Sequence, residues 1–213
     1  MNDNEISDIS PLTSLASLTP LRRNDKQISD VTALGSLTNL TNLRLYENQI
    51  SDITALASLT NLTDLWLQFN EISDVTALRS LTSLSVLYLD NNQISDVTAL
   101  GSLTNLTHLR LYDNQINDIT VLASLTNLTY LWLYGNQIID VLPLASLTSL
   151  VGLGVNGPII DISPLSSLTN LTELRLYDNQ IINVSTLSSL TTLTTLHPPR
   201  HQPSHIAPPL PAT

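Results

Sequence analysis

The sequence predicts an α/β repeat solenoid with a parallel β-sheet on its concave face and short 3₁₀ or single-turn helices on its convex face. Three observations lead to this fold class. A leucine pattern restarts every 22 residues, apart from one interval of 21; leucine alternates with variable residues early in each repeat; and a helix-start signal follows later in each repeat. The pattern starts at Leu18, Leu40, Leu62, Leu84, Leu106, Leu128, Leu150, Leu171 and Leu193.

The early part of each repeat predicts a short strand. Pairs such as Leu109 and Leu111 are separated by one residue that differs from copy to copy. Alternation with a period of two is typical of a strand that is buried on one side only. Because the pattern recurs at a fixed interval, the strands are expected to lie side by side in a parallel sheet, about 4.8 Å apart. The variable residues should then face outward on the concave side.

Two polar columns are expected to belong to the turns that follow the strands. An asparagine amide both donates and accepts hydrogen bonds, so a stacked column of asparagines can satisfy backbone groups of the turns. We interpret the repeated aspartates in the same way, in preference to a phosphate-like or cation-binding role. The asparagines are Asn48, Asn70, Asn92, Asn114 and Asn136, and the aspartates are Asp8, Asp30, Asp52, Asp74, Asp96, Asp118, Asp140 and Asp161.

The later part of each repeat predicts a helix of about one turn. A serine or threonine precedes a small residue or proline and then a leucine, as in Ser163-Pro164-Leu165. Serine or threonine as N-cap with proline at the first helical position is a helix-start signal. Little room remains before the next repeat, so 3₁₀ or single-turn helices are expected.

Composition divides the chain and excludes several classes of protein. We predict a repeat array over residues 1–197, with partial first and last repeats, and a disordered proline-rich tail over residues 198–213. The chain has no cysteine, and no apolar run approaches the roughly 20 residues that span a bilayer, so membrane insertion is not expected. The N-terminus lacks a signal-peptide pattern, which favours a cytoplasmic location by default, or a secreted or cell-surface one if the chain is a fragment.

The repeat that starts at Leu150 is the short one, and it admits two interpretations. It contains Gly152, Gly154 and Gly157 and has no column asparagine. It is either a degenerate copy or a local break whose glycines leave empty space on the sheet face, beside the aromatic residues of the preceding repeat.

The repeat consensus LTNLTxLxLxxNQISDITALASLTNL resembles that of leucine-rich repeats. Its 22-residue length and its NQISDI core are similar to the internalin class of bacterial repeats, and the resemblance extends from residue 4 to about residue 196. It implies a leucine-rich repeat horseshoe that serves as a protein-binding scaffold. We predict no cofactor.

The outward positions of the predicted sheet hold all six tyrosines and both tryptophans of the chain. Tryptophan, tyrosine and arginine dominate the hot spots of protein interfaces, where each is worth about 2 kcal/mol or more when centrally buried. We therefore predict a protein-binding face with its centre at Arg110, Tyr112, Tyr130, Trp132 and Tyr134. The full candidate set is Arg44, Tyr46, Trp66, Tyr88, Arg110, Tyr112, Tyr130, Trp132, Tyr134, Arg175 and Tyr177.

Other functions find little support in the sequence. Eight Lys and Arg residues against 18 acidic ones, a net charge of -10, argue against nucleic-acid binding. The outward positions hold no serine, cysteine or lysine nucleophile, and His108, with Val86 and Tyr130 as expected neighbours, forms neither a triad nor a metal site. The prediction is a non-enzymatic protein-binding scaffold. The alternative is a fragment of a larger secreted or surface internalin-like receptor or adhesin with no autonomous function. End-to-end self-association is left open, because both ends expose leucine edges.

Overall fold

The computed structural model describes residues 20–22 and 28–198. The predictions for residues 1–19 and for the tail beyond residue 198 lie outside the described residues. In the part that is described, nine parallel strands form one sheet in chain order. They are β1 (Pro20–Arg22), β2 (Asn42–Arg44), β3 (Asp64–Trp66), β4 (Val86–Tyr88), β5 (His108–Arg110), β6 (Tyr130–Trp132), β7 (Gly152–Gly154), β8 (Glu173–Arg175) and β9 (Thr195–His197).

The register of the sheet follows the sequence repeat. Each strand pairs with the next so that equivalent residues lie side by side, as Leu87 does with Leu109. Leu109 and Leu111 are fully buried, while the residues on either side of Leu109 are half-buried on the opposite face. The repeat solenoid with a parallel sheet that the alternation predicts is thereby confirmed. A single apolar core runs through the described repeats from Ile28 to Leu190.

The convex side carries eight 3₁₀ helices of five residues each among the described residues, which agrees with the predicted length and type. Their ranges are Thr32–Ser36, Thr54–Ser58, Thr76–Ser80, Thr98–Ser102, Thr120–Ser124, Leu142–Ser146, Ser163–Ser167 and Ser185–Ser189. None of these helices is long and apolar enough to span a bilayer.

The prediction that a serine or threonine is the N-cap of each helix is wrong for the described helices, whose N-cap residues are apolar, as Ile53 and Ile162 are. Thr54 is itself the first helical residue, and the carboxylate of Asp52 accepts its backbone N–H at 2.8 Å. An aspartate two residues ahead of an N–H forms such a local turn readily. The same bond recurs from Asp30 to Asp161, and Asn183 makes it in the last described helix. The aspartate column therefore belongs to the turns, as predicted.

The column of asparagines joins neighbouring repeats. The Nδ2 of Asn114 donates to the carbonyls of Leu89 and Leu111, each at 3.0 Å, and its Oδ1 accepts the N–H of Ile94 at 3.0 Å. Asn70, Asn92 and Asn136 repeat this arrangement. The predicted role of these asparagines in satisfying backbone groups is thereby confirmed.

The short repeat interrupts this column. At Gly157, with φ of +151°, an added Cβ would lie 2.1 Å from the carbonyl oxygen of Ile138, so the two backbones approach too closely for any side chain. The side chain of Asn156 instead accepts the N–H of Gly135 at 2.6 Å. One repeat later, the buried Oδ1 of Asn179 has no hydrogen-bond partner. The interruption is local, because the flanking strands β6, β7 and β8 keep their pairing.

Replacing Asn114 with alanine tests the asparagine column. The change leaves the buried N–H of Ile94 and two carbonyls short of a partner, at a cost of roughly 1–3 kcal/mol per orphaned group, so a loss of about 3 kcal/mol is expected. Asn105→Ala is the matched control, because Asn105 makes one exposed bond to Thr82 and should cost no more than about 0.5 kcal/mol. Urea unfolding midpoints measure both changes, and equal losses would contradict the role given to the column.

The aspartate column predicts a pH dependence of stability. Each of five aspartates accepts hydrogen bonds from the hydroxyl group and the backbone N–H of the threonine or serine two residues later in the sequence. These bonds lower the pKa of the carboxyl group below the ordinary 3.8 in Asp52, Asp74, Asp96, Asp118 and Asp161. A carboxylate with a lower pKa in the folded state stabilises the fold above its unfolded pKa. That contribution is lost as the pH falls below about 4.

Replacing all five aspartates with asparagine removes the titration and keeps the backbone bond, as Asn183 shows by accepting the N–H of Ser185 at 2.8 Å. The stability of this variant, measured by denaturant unfolding across the acid range, should fall less steeply below about pH 4 than that of the native chain. Parallel curves for the two proteins would mean that other groups control acid unfolding.

Candidate protein-binding face

The structure places every candidate binding residue on the concave side. All eleven are half-buried. The third residues of the strands lie next to one another across the sheet, and we call this line of residues the central row. In order it holds Arg44, Trp66, Tyr88, Arg110, Trp132, Gly154 and Arg175. Tyr130 is the first residue of β6, and Tyr46, Tyr112, Tyr134 and Tyr177 each lie two residues beyond a strand end.

Arginines and aromatic rings cover one another along the central row. The guanidinium carbon of Arg44 lies 3.7 Å from the ring centroid of Trp66, and that of Arg110 lies 4.7 Å from the centroid of Tyr88. The rings of Trp66 and Tyr88 are 5.0 Å apart. Cation–π contacts of this kind each contribute about 0.5–1 kcal/mol at exposed sites. The row is consequently ordered by contacts within itself, before any partner binds.

Two further ring pairs flank the central row. His108 and Tyr130 stack with centroids 4.9 Å apart, and Tyr112 and Tyr134 stack at 4.5 Å with planes only 15° apart. Both pairs join β5 to β6, because equivalent residues of adjacent repeats are neighbours. The predicted centre of the face is therefore its most densely aromatic part among the described residues.

Asp90 is an exception to the predicted exposure of the outward positions, because its side chain is fully buried. Nη2 of Arg110 donates to Oδ2 of Asp90 at 3.1 Å and also to the hydroxyl group of Tyr112. Nε of Arg110 lies 2.9 Å from Oδ1, but its N–H is not aimed at that oxygen, so this is a charge contact rather than a hydrogen bond. Arg110 and Tyr112 cover Asp90, and the contacts with its carboxylate hold the guanidinium group of Arg110 in place. Gln68, two strands from Arg110, is likewise buried.

The glycines of the short repeat do not leave empty space. An added Cβ at Gly152 would lie 2.7 Å from Cδ1 of Tyr130, and one at Gly154 would lie 2.7 Å from Cε3 of Trp132. The expectation of a gap beside these rings is wrong, because the rings lean over β7 and fill it. Gly152 and Gly154 are thus the residues that allow Tyr130 and Trp132 to lie flat against the sheet.

Phe69 is a feature of the face that sequence reasoning placed only at its edge. Its φ is +58°, a left-handed conformation that costs an L-residue roughly 1–2 kcal/mol, and its side chain is 48% exposed. Other repeats place residues that tolerate this conformation better at the same position, such as Asn91, Asp113 and Gly135. Glu47 has the same conformation in the preceding repeat, with φ of +57°, so the strain belongs to the turn that these repeats share.

A column of exposed isoleucines was missed by the sequence analysis. Ile139, Ile160 and Ile182 are 65%, 53% and 85% exposed. They occupy the place that Ser51, Ser73 and Ser95 hold in earlier repeats, a serine-to-isoleucine change that the sequence does display. This column lies beyond the asparagine turn and outside the concave face. We call it the isoleucine column.

The chain is similar in sequence and structure to known leucine-rich repeat proteins. The family model for leucine-rich repeats (2 copies) matches residues 38–80, 60–102, 82–124 and 104–146. Internalin C2 from Listeria monocytogenes is 42% identical, with a TM-score of 0.84 over 87% of this chain and 82% of that one. Internalin F from the same organism is 35% identical, with a TM-score of 0.79 over 92% of this chain and 65% of that one. A comparison with curated proteins found no match.

A more distant structure shows the fold alone. The plant peptide hormone receptor RGFR1, solved in complex with RGF2, is 24% identical and has a TM-score of 0.80 over 92% of this chain and 34% of that one.

The parallel sheet, the 3₁₀ helices and the 22-residue register define a leucine-rich repeat solenoid, and the chain belongs to the leucine-rich repeat family. Within that family it is internalin-like, since two internalins share its fold at 42% and 35% identity. Proteins with this fold are typically interaction scaffolds and are not typically enzymes. Among the described residues no group of three or more His, Cys, Asp or Glu side chains is placed to hold a metal ion.

The contact between buried Asp90 and Tyr112 should be detectable in the pH titration of the Tyr112 hydroxyl group. Burial, together with the hydrogen bond and negative charge of Asp90, raises the pKa of Tyr112 to about 12. In an Asp90→Asn variant the burial remains but the opposing charge is gone, so the pKa of Tyr112 should fall toward its ordinary 10.0 without reaching it. Ultraviolet absorbance of tyrosinate against pH measures this change. The Tyr112→Phe variant identifies the transition, and an unchanged titration in Asp90→Asn would contradict the contact.

Proposed function

We propose that this chain is a non-enzymatic protein-binding scaffold and that its partner binds the aromatic and arginine residues of the concave face. One observation carries the proposal: every tyrosine and tryptophan of the sequence lies on this face, although the apolar core is formed by the leucines, isoleucines and valines behind it. Tryptophan, tyrosine and arginine are the residues that most often carry binding energy at protein interfaces.

The order within the face favours binding. Side chains that are already held by ring and cation–π contacts lose less conformational entropy when a partner covers them. From β2 to β8 the face extends over roughly 30 Å, at about 4.8 Å per strand. An interface of about 800 Å² per partner can be accommodated on such a surface. Its size and openness suit a protein better than a small molecule, which takes a concave pocket.

The charges of the face are largely paired. Asp90 neutralises Arg110. Oε1 of Glu173 accepts a hydrogen bond from Nε of Arg175 at 2.8 Å and forms an ion pair with its Nη2 at 2.7 Å. Eight of the 18 acidic residues of the chain belong to the aspartate column, which lies in the turns and not on this face. Recognition is accordingly proposed to depend on aromatic contact area more than on long-range electrostatic attraction.

The comparisons support a protein or peptide as the partner. RGFR1 was solved with RGF2 bound, which shows that a protein of this fold holds such a ligand. A second candidate function is that the chain is part of a larger secreted or surface internalin-like receptor or adhesin, since it spans 65% of internalin F. The proposed division into an array over residues 1–197 and a proline-rich tail over residues 198–213 fits either function. End-to-end self-association remains a further proposal.

Replacement of Tyr130, Trp132 and Tyr134 by alanine tests the proposed face. The changes remove the densest aromatic part and leave Leu131 and Leu133 in the core, so the far-ultraviolet circular dichroism should be retained. Affinity capture with quantitative mass spectrometry should show proteins that the native chain retains and the variant loses. Binding should weaken by a factor of a hundred or more, because several hot-spot residues are removed together, at about 2 kcal/mol each.

The matched control is Ile139→Ser combined with Leu142→Thr. It removes two exposed apolar side chains from the same repeat but outside the concave face, and it installs the residues that other repeats have there. Its captured proteins should match those of the native chain. If this control loses them and the concave variant retains them, the partner binds along the isoleucine column and the proposed face is wrong.

A further inference from the structure

A small cavity opens on the concave face between β4 and β6. Its volume is about 160 Å³, and its walls are formed by Tyr88, His108, Leu109, Arg110, Tyr130 and Trp132. Pockets for whole small molecules are about 300–1,000 Å³, so this one is of a size to admit a single side chain. It lies at the middle of the face, where binding hot spots cluster in protein interfaces.

We propose that this cavity is the anchor point of the concave face and that it receives one uncharged aromatic or aliphatic side chain of a protein partner. The inference rests on the proposed function and adds to it the chemistry by which the partner is recognised.

A cationic side chain is disfavoured because the chain's own arginines already occupy the electron-rich ring faces. Arg110 lies over Tyr88 at 4.7 Å, and Arg175 lies over Trp132 at 4.8 Å. A lysine or arginine of the partner would have to displace one of these groups and would meet the charge of the other. Two of the aromatic rings that line the cavity are therefore already in contact with a cation.

An anionic side chain is disfavoured by the buried carboxylate beneath the cavity wall. Arg110 is the cation that lines the cavity, and Asp90, which is fully buried, already neutralises it. A second carboxylate would compete with Asp90 for the guanidinium group, whose Nη2 is also used by the hydroxyl group of Tyr112. It would also be repelled by the charge of Asp90 in a site of low dielectric constant.

A flat or branched uncharged side chain meets no such obstacle. The stacked rings of His108 and Tyr130 form one wall, the indole of Trp132 forms another, and buried Leu109 lies at the base. Nδ1 of His108 is held 2.9 Å from the hydroxyl group of Thr107, which fixes the orientation of that wall. Aromatic pairs are stabilised beyond the area that they bury, so an aromatic guest should bind more tightly than an aliphatic one.

Capped single amino acids test the inference without knowledge of the partner. N-acetyl-tryptophanamide and N-acetyl-leucinamide are titrated into the ¹⁵N-labelled chain, and the indole N–H resonance of Trp132, assigned with Trp132→Phe, is followed by NMR. Both probes should shift it saturably with millimolar affinity, and the tryptophan probe should bind more tightly. N-acetyl-argininamide, N-acetyl-glutamic acid amide and methyl glucoside should leave it unchanged.

Two variants locate the binding. His108→Val installs the residue that β4 has at the same place and removes one ring wall, so the tryptophan probe should bind about fivefold more weakly, as expected for loss of an aromatic pair. Ile182→Ser, in the isoleucine column, should bind it as the native chain does.

The inference is overturned if neither uncharged probe shifts the resonance up to its solubility limit. It is also overturned if a charged probe or the glucoside binds as tightly as the tryptophan probe, or if His108→Val has no effect. These outcomes are independent of protein capture by the concave face. Suppose that replacing Tyr130, Trp132 and Tyr134 abolishes capture of a partner, but that no probe binds to the native chain. The proposed function would then stand, and the anchor cavity would be wrong.

Discussion

The structure depends on hydrogen bonds that pass from each repeat to the next. A strand of three residues and a five-residue 3₁₀ helix are too short to be stable alone, so each needs its neighbours on both sides. The leucines supply the apolar surface that is buried, but they do not by themselves fix how far one repeat is shifted against another. Asn114 does so, because its amide binds backbone groups of its own repeat and of the preceding one at the same time. This alignment of adjacent repeats decides which residues lie next to one another on the concave face.

Core and face are separated within the strand itself. In β5, buried Leu109 lies between His108 and Arg110, whose side chains point the other way. The face can therefore vary without disturbing the core, and its residues are ordered instead by one another. Asp90 shows the limit of this freedom, because a fully buried carboxylate is tolerated only where Arg110 accompanies it.

Much of this architecture could be predicted from the sequence, because it is set by periodicity. The buried leucines, the short helices and the asparagine column all follow from residue spacing. What could not be predicted depends on how side chains lean across to the next repeat. The burial of Asp90 requires Arg110, 20 residues later, to fold back over it, and the filling of the space above Gly154 requires Trp132 to lean forward. The sequence places the aspartate column in the turns but does not distinguish an aspartate from a serine or threonine as the residue that accepts the first helical N–H, because all three types do so at helix starts.

The interchangeability of the regular repeats has a consequence for how such a chain can change over generations. A unit such as 62–83 offers to both neighbours the same backbone groups that they already bind, so its duplication or loss within the coding sequence would leave the asparagine hydrogen bonds and the apolar packing of the core in place. The same event would bring new pairs of face residues side by side and would lengthen or shorten the surface by one strand. The short repeat is different, because no side chain fits at position 157 against the backbone of Ile138, and Asn156 binds Gly135 in a way that the regular repeats do not repeat. The number of regular repeats before the short repeat can thus change, while the contacts between the short repeat and the repeat that precedes it must be kept.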